Sequence, residues 1–472
     1  MTGIALIIAF LIAIVVMILA ISKLKVHPFL AIMGTAIALG LLAGIPIVNT
    51  PNADGTTTMG IVWQVGQGFS AIFTGIGLVI IIGALIGSIL EATGGAFKIA
   101  DMIIRVLGKA SPNLSIIVMG WIVSVPVFCD SGFVIINPIR RSIVKRTGAS
   151  GIATAVGLGA GLYTSHVLVP LTPGPLAASE ILNLADQLLL VIGVSVVVSI
   201  PALIAAFLWA NYCGKKDKSK EDLEISNNTT VKTYEEIVKE FGGLPNGFMS
   251  LAPILIPIVC MAIGSVSSFI DPDSQALIFR LMRFIGTPVV ALTIGLFFAI
   301  ILLVMTRKTT QFNTLTNDTL KMLGPILFIT AAGGVLGRMI AVSDMVPFIE
   351  NNADILVGMG LFFPFIVSAI IKTAQGSSTV AMITTAGIMM PLMATLGLDS
   401  SIMSALTVMA IGAGSMMASH ANDSYFWVVS NLSEMTPQQG YKYWTSMSVI
   451  QGLACMAGIF VFSLVMRVIG VA

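Results

Sequence analysis

The stretch SVPVFCDSGFVIINPIRR, from Ser124 to Arg141, places Asp130 inside an apolar run and closes that run with two arginines. The run starts close to Lys109, so both of its ends carry cations. A single helix would put these cations on opposite sides of a membrane. Two full crossings would leave arms of about 14 residues, or about 21 Å, against a lipid core of about 30 Å. The run therefore predicts a re-entrant hairpin over about 113–143.

The apex of this hairpin is expected at PVFCDSG, where Pro126 and Gly132 would break the helix and bring Asp130 to mid-membrane depth. Backbone outside a helix is tolerated at that depth if it is buried in protein or lines a watery cavity. An ionisable side chain there indicates a functional site.

Composition identifies the environment of the whole chain. Of its 472 residues, 56% are apolar and 10% are charged, and the mean hydropathy is +1.00. Apolar runs of the length that spans a bilayer as helix, without the alternation of a β-barrel, predict an all-α polytopic membrane protein. The net charge of +2 comes with basic residues in short clusters between the runs, which is the positive-inside pattern. Nucleic acid is therefore not expected as a partner.

Motifs of enzymes and metal centres are missing from the sequence. Four cysteines occur without a CxxC pair, and no Walker loop, HExxH or GxSxG motif is present. We expect no enzymatic activity, no cofactor and no metal site.

The basic clusters divide the chain into two halves. A first repeat (1–210) and a second repeat (247–472) flank a polar cytoplasmic connector (211–246), and a second hairpin is expected over about 355–396, broken at KTAQGSST. The segment GAGLYTSH, ending at His166, matches GAGSMMASH, ending at His420. Each half has five spans, an odd number, so the sequence predicts inverted repeats with broken helices at the midplane and both termini outside.

The two hairpin apices predict an anion site. Each presents the start of a helix, DSGFV or GSSTV, whose free N–H groups and positive dipole end attract a carboxylate. The alternative is that their hydroxyls are N-caps of their own helices. The candidate substrate ligands at the apices and at the breaks of the spans are Ser131, Gly132, Ser377, Ser378, Thr379, Asn422, His166 and Thr172.

Ionisable residues near the same apices are candidates for proton coupling. An ionised Asp130 would compete with a substrate anion unless it first took up a proton; the alternatives are an N-cap and an ion pair with Lys372. Asp423 and His420 are further proton candidates, with capping and core hydrogen bonding as the alternatives. Lys372 is expected to pair with a carboxylate of the substrate or of an aspartate, and an internal pair is favoured.

The segments VPVFCDSGFVIINPI and SHANDSYFW, with PLTPGP, resemble the gluconate permease family of bacterial proton symporters along the whole chain. The resemblance implies the ion transporter superfamily, a homodimer and an elevator-like movement. Family members carry gluconate, related sugar acids, D-serine or glycerate. Sodium-coupled relatives carry Ser-Asn-Thr at both tips, whereas this chain has CDSG and QGSST, which favours protons.

The prediction is thus a multi-pass inner-membrane symporter that imports gluconate, or a related hydroxylated monocarboxylate, with a proton. A sodium-coupled or dicarboxylate carrier, a D-serine or glycerate carrier, a channel, an intramembrane enzyme and a sugar-acid sensor are the alternatives.

Overall fold

The computed structural model describes residues 3–107 except 53 and 55, residues 111–222, 243–271, 274–345, 348 and 359–470. The middle of the predicted connector and the start of the second predicted hairpin lie outside the described residues.

Helices account for nearly all of the described structure, and one short antiparallel pair, Thr50–Pro51 with Thr57–Thr58, is the β-structure in the described part. The helices are Gly3–Ser22, Pro28–Leu42, Ile61–Ile72, Phe73–Gly77, Leu78–Thr93, Gly95–Leu107, Pro112–Val123, Cys129–Thr147, Gly151–Leu168, Pro173–Ile181, Ala185–Gln187, Leu188–Cys213, Gly247–Ile270, Leu277–Gly286, Pro288–Met305, Thr309–Gln311, Phe312–Ala341, Phe362–Gln375, Ser378–Met389, Met390–Leu392, Ser401–Ser415, Ser424–Leu432, Pro437–Gln439, Gly440–Thr445 and Ser446–Ile469.

The prediction of an all-α polytopic membrane protein is confirmed. Seven described helices are long and apolar enough to cross a membrane, and an eighth span forms if Ile61–Gly75 and Leu78–Thr93, bent by 44°, count as one. Shorter apolar helices make up three of the four hairpin arms, namely Pro112–Val123, Phe362–Gln375 and Ser378–Leu392. The opposite orientation of the two repeats stays a prediction.

Hairpin 1 consists of the arms Pro112–Val123 and Cys129–Thr147, so the helix is interrupted at the predicted apex, and its re-entrant placement in the membrane stays a prediction. Its tip is secured by Ser124, whose hydroxyl donates to the carbonyl of Val127 over 2.9 Å. The expectation that Gly132 breaks the helix is wrong. The Gly132 N–H donates to the Phe128 carbonyl over 2.8 Å, which is the first hydrogen bond of the second arm.

Hairpin 2 consists of Phe362–Gln375 and Ser378–Met389, with its tip at Gly376 and Ser377. Gly376 has a φ of +91°, and a Cβ there would overlap the carbonyl of Asn422. A glycine is therefore required at this tip, both for its backbone conformation and for the close approach.

Two spans are interrupted near the hairpin tips, as predicted. The first broken span stops at Leu168 and resumes at Pro173, because prolines cannot continue the helix. Its first part is buried along its whole length, Gly151–Leu168, and packs against hairpin 1. The second broken span consists of Ser401–Ser415 and Ser424–Leu432.

Arg140, which the charge pattern treats as a cation at the membrane boundary, is completely buried. Its guanidinium lies 2.6 Å from the carboxylate of Glu221, and it also donates to Asn137 and Thr154. The connector after helix Leu188–Cys213 is thereby tied to the second arm of hairpin 1. Breaking such a pair from one side leaves an uncompensated buried charge.

Hairpin 1 depends on close contact with the first broken span, which predicts the effect of adding one methyl group. A Cβ at Gly161 would overlap the carbonyl oxygen of Ile117. We expect Gly161→Ala to lower the free energy of unfolding by about 1–3 kcal/mol, the usual cost of overpacking. Denaturation of the purified protein in detergent measures this difference.

Gly34→Ala is the matched control. Gly34 also lies within a helix, and no atom comes within 4 Å of an added Cβ there. Equal stability losses in the two variants would contradict the packing described for Gly161.

Candidate substrate-binding site

The tips of hairpin 1 and hairpin 2 line one cavity of about 470 Å³, called the central cavity below. Both broken spans and the helix Phe312–Ala341 complete its wall. The lining residues are Phe128, Cys129, Asp130, Ser131, Tyr163, His166, Met322, Ile326, Ile329, Gln375, Gly376, Ser377, Ser378, Thr379, Val380, Asn422, Asp423, Ser424 and Tyr425.

Three helices begin at the wall of this cavity, at Cys129, Ser378 and Ser424. The Ser377 hydroxyl accepts from the Val380 N–H over 3.3 Å, so Ser377 is an N-cap, as one alternative held. The helix that begins at Cys129 has no side-chain cap in the part of the chain that is described. Three positive dipole ends therefore face one polar space, which favours an anion.

The ammonium group of Lys372 forms a buried ion pair with Asp423. Its Nζ lies 2.6 Å from Oδ2 of Asp423 and 2.5 Å from the carbonyl of Gly376. The expected internal pair is thus present, and Asp130 is not the partner. Asp423 also accepts from the hydroxyl of Ser419 over 2.5 Å and caps the N–H of Tyr425 over 3.0 Å. Because these three donors use much of its acceptor capacity, Asp423 serves as a structural partner of Lys372.

The carboxylate of Asp130 has fewer and longer hydrogen-bond contacts than that of Asp423. Its Oδ1 lies 3.5 Å from the hydroxyl of Ser424, and its Oδ2 lies 3.8 Å from the thiol of Cys129. Both distances are long for hydrogen bonds, so most of its acceptor capacity faces the central cavity. Asp130 is therefore the lining carboxylate with lone pairs available to a proton or a substrate hydroxyl.

His166, which lines the central cavity, is buried, and its Nδ1 has no hydrogen-bond partner among the described residues. Thr172 donates to the carbonyl of His166 over 2.6 Å and stabilises the break of the span without lining the cavity. Gly132 also lies off the cavity; a Cβ there would come within 2.7 Å of Leu162. These two residues support the site through the backbone.

Asn422 and His420 both contact hairpin 2. The Asn422 amide donates to the carbonyl of Thr373 over 3.0 Å, and Nε2 of His420 lies 3.0 Å from the same oxygen. Asn422 lines the central cavity, whereas His420 does not. His420 thus holds the end of the first arm of hairpin 2.

Sequence reasoning missed several polar residues of the site. Tyr163 and Tyr425 lie 5.4 Å apart between ring centroids, and their hydroxyls donate to the carbonyls of Ser415 and Gly159. Glu91 contacts the hydroxyl of Ser131 from the span before hairpin 1. A carboxylate near the end of an otherwise apolar span was the available signal for Glu91.

The fold and this site define a class of protein: a polytopic membrane transporter, with two hairpin tips meeting at a polar cavity inside the helix bundle. Over the part of the chain that is described, no cluster of histidine, cysteine, aspartate and glutamate could hold a metal ion. The chain belongs to the GntP family of permeases, whose family model matches residues 5–465.

Relatives agree with this assignment, and one solved structure shares the fold. The chain is 31% identical to a gluconate permease of Pseudomonas aeruginosa over 97% of both chains. It is 29% identical to the inner membrane permease YgbN of Escherichia coli, over 96% of this chain and 97% of the relative. The YdaH transporter of Alcanivorax borkumensis has a similar fold, with a TM-score of 0.64, 14% identity, and coverage of 94% of this chain and 99% of that chain.

The buried pair between Lys372 and Asp423 yields a prediction about stability. Lys372→Met should cost about 3–5 kcal/mol of unfolding free energy, because it leaves the charge of Asp423 uncompensated. Asp423→Asn should be similarly costly. The double variant, which leaves no uncompensated charge at the pair, should lose less than the sum of the two single variants.

Chemical denaturation in detergent of the four proteins in this double-mutant cycle provides the measurement. Additive losses would show that the two side chains act independently, against the geometry found here.

Proposed function

We propose that this permease imports gluconate, or a closely related small hydroxylated monocarboxylate, together with a proton across a bacterial inner membrane. The observation that carries the proposal is the convergence of three helix starts and one loosely held carboxylate, Asp130, on a single cavity. The names of the gluconate permease and the inner membrane permease support the substrate and the location.

The substrate carboxylate binds between the tips of the hairpins. The uncapped start of the helix at Cys129 offers backbone N–H groups, and the hydroxyls of Ser378 and Thr379 lie on the opposite wall. Asn422 and Gln375 offer amides to the substrate hydroxyls. Ser131 adds a hydroxyl at the tip of hairpin 1, and Ser377 at the tip of hairpin 2 serves as both N-cap and ligand.

Asp130 couples the proton to the anion. An ionised Asp130 repels a substrate carboxylate at the same helix start, whereas a protonated Asp130 is neutral and can donate a hydrogen bond. Proton and anion therefore bind together more favourably than either alone, which is the thermodynamic condition for symport. His166, whose Nδ1 has no hydrogen-bond partner in the described part of the chain, relays the proton.

The hairpin-bearing part then shifts as a unit in an elevator-like movement, within a homodimer whose termini lie outside. The buried Arg140–Glu221 pair supports this step, because it locks hairpin 1 to the connector and prevents independent movement of its arm. A sodium-coupled carrier is the second candidate within this class. A D-serine or glycerate carrier would use the same carboxylate site with fewer hydroxyl contacts.

Asp130→Asn separates coupling from binding. In proteoliposomes, we expect the unsubstituted protein to accumulate radiolabelled gluconate under an imposed inward proton gradient without sodium. The Asn variant should lose this driven uptake at least about tenfold and retain gluconate counterflow, because a neutral side chain permits binding but carries no proton.

Asp399→Asn is the matched control, since Asp399 is exposed and lies outside the central cavity. Driven uptake that persists in Asp130→Asn would assign coupling to another group. Uptake by the unsubstituted protein that requires sodium would replace the proton by sodium in the proposal.

A further inference from the structure

A second cavity, of about 260 Å³, lies between the bent span, the helix Phe312–Ala341 and the second part of the first broken span. Its polar lining residues are Gln67, Glu180, Asn183 and Arg338. The mechanism proposed for the central cavity uses none of them. It is called the second cavity below.

The two cavities lie along the same pair of elements. Ile329 lines the central cavity and Arg338 lines the second, nine residues later on one helix, or about 14 Å at 1.5 Å per residue. Between these positions the helix packs closely on the second arm of hairpin 2, since a Cβ at Gly333 would come within 2.6 Å of Ile383. The end of this arm, at Met390, also lines the second cavity.

Arg338 supplies a positive charge to the wall of the second cavity. Its Nε donates to Oε1 of Gln64 over 2.8 Å. Among the described residues, no carboxylate lies within ion-pair distance of Arg338. A guanidinium has a planar fork of donors that matches a carboxylate, so this group can accept an anionic ligand.

Glu180 is the other ionisable group of the second cavity. It forms no ion pair with Arg338, although both line the same space, and its Oε2 is buried without a hydrogen-bond partner among the described residues. Its other oxygen lies against Gly75, where a Cβ would overlap it. A glycine in the π-helical turn Phe73–Gly77 thus makes room for the carboxylate. A buried acceptor without a donor lowers the free energy of unfolding, so a ligand that donates a hydrogen bond to Glu180 would stabilise the protein.

We infer that the second cavity is an additional binding site for the transported sugar acid, occupied before or after the central cavity. Arg338 binds the substrate carboxylate, and Glu180 accepts hydrogen bonds from substrate hydroxyls. The amides of Gln67 and Asn183 add donors and acceptors of the kind that sugar hydroxyls need. This inference rests on the proposed function, because the ligand is taken to be the transported substrate. A guanidinium together with an acceptor for hydroxyl groups selects a hydroxylated monocarboxylate.

A different role for the same residues is a gate, in which Arg338 and Glu180 move together to close the cavity. The two roles predict different results when the charges of the two residues are exchanged. A gate pair should recover function in the doubly substituted protein R338E/E180R, because the attraction is restored. A binding site should not recover function, because the guanidinium that binds the substrate carboxylate is then missing from position 338.

The first arm of the test measures gluconate uptake by proteoliposomes. We expect Arg338→Gln to raise the KM at least about tenfold, the usual effect of losing a charge-assisted hydrogen bond, with a smaller change in kcat. Glu180→Gln should raise the KM for gluconate more than for glycerate, which has fewer hydroxyls. Arg280→Gln is the matched control, because Arg280 is an exposed arginine outside both cavities.

The second arm detects occupancy directly. Ala341→Cys places a thiol at the wall of the second cavity, and the four native cysteines are buried. Gluconate should slow modification of this thiol by a water-soluble maleimide, also when Ser378→Ala and Thr379→Ala weaken the central site. Addition of Arg338→Gln should remove the protection.

An unchanged KM in Arg338→Gln, recovery in R338E/E180R, or protection that survives Arg338→Gln would each overturn the inference while leaving the proposed function in place. Absence of gluconate uptake by the unsubstituted protein would remove both.

Discussion

The need to satisfy backbone polar groups within a membrane governs this structure. Two hairpins and two broken spans expose non-helical backbone among apolar helices, and protein groups satisfy carbonyls at three of these interruptions. The Ser124 hydroxyl covers the Val127 carbonyl, Thr172 covers the carbonyl of His166, and Lys372 covers that of Gly376. The interruptions are therefore stable where they meet one another, and the polar space that they enclose becomes the candidate site.

The charges of the site follow from this arrangement. Lys372 and Asp423 neutralise each other, and the Ser419 hydroxyl that supports Asp423 accepts in turn from the indole of Trp444 over 2.9 Å. The helix starts contribute positive potential, and Asp130 is the loosely held carboxylate among the lining residues. A cavity of this kind favours an anion when Asp130 is neutral. The charge distribution of the site and the proposed coupling thus both follow from the meeting of the hairpin tips and broken spans at one cavity.

The sequence was sufficient to predict the fold class, hairpin 1, the tip of hairpin 2 and the breaks in the two spans, because apolar length, basic clusters and prolines are local signals. Burial of Arg140 against Glu221 was not predictable, since the partners are 81 residues apart and a basic cluster normally marks an exposed boundary. Gly132 has an ordinary helical position because Pro126 and the tip already supply the break. The partners of Lys372 and the second cavity depend on tertiary proximity that no local pattern encodes. The inverted orientation of the repeats still rests on the charge pattern.

The central claim is that the two hairpin tips face one shared cavity, and cross-linking between them tests it most directly. Cysteines at Ser131 and Ser378 would be joined in the membrane by a short bifunctional thiol reagent, in a protein that also carries Cys129→Ser because Cys129 lines the same cavity. The account predicts efficient intramolecular cross-linking that gluconate reduces by occupying the space between the thiols. Two thiols that react separately with single-ended reagents but are never joined would contradict it.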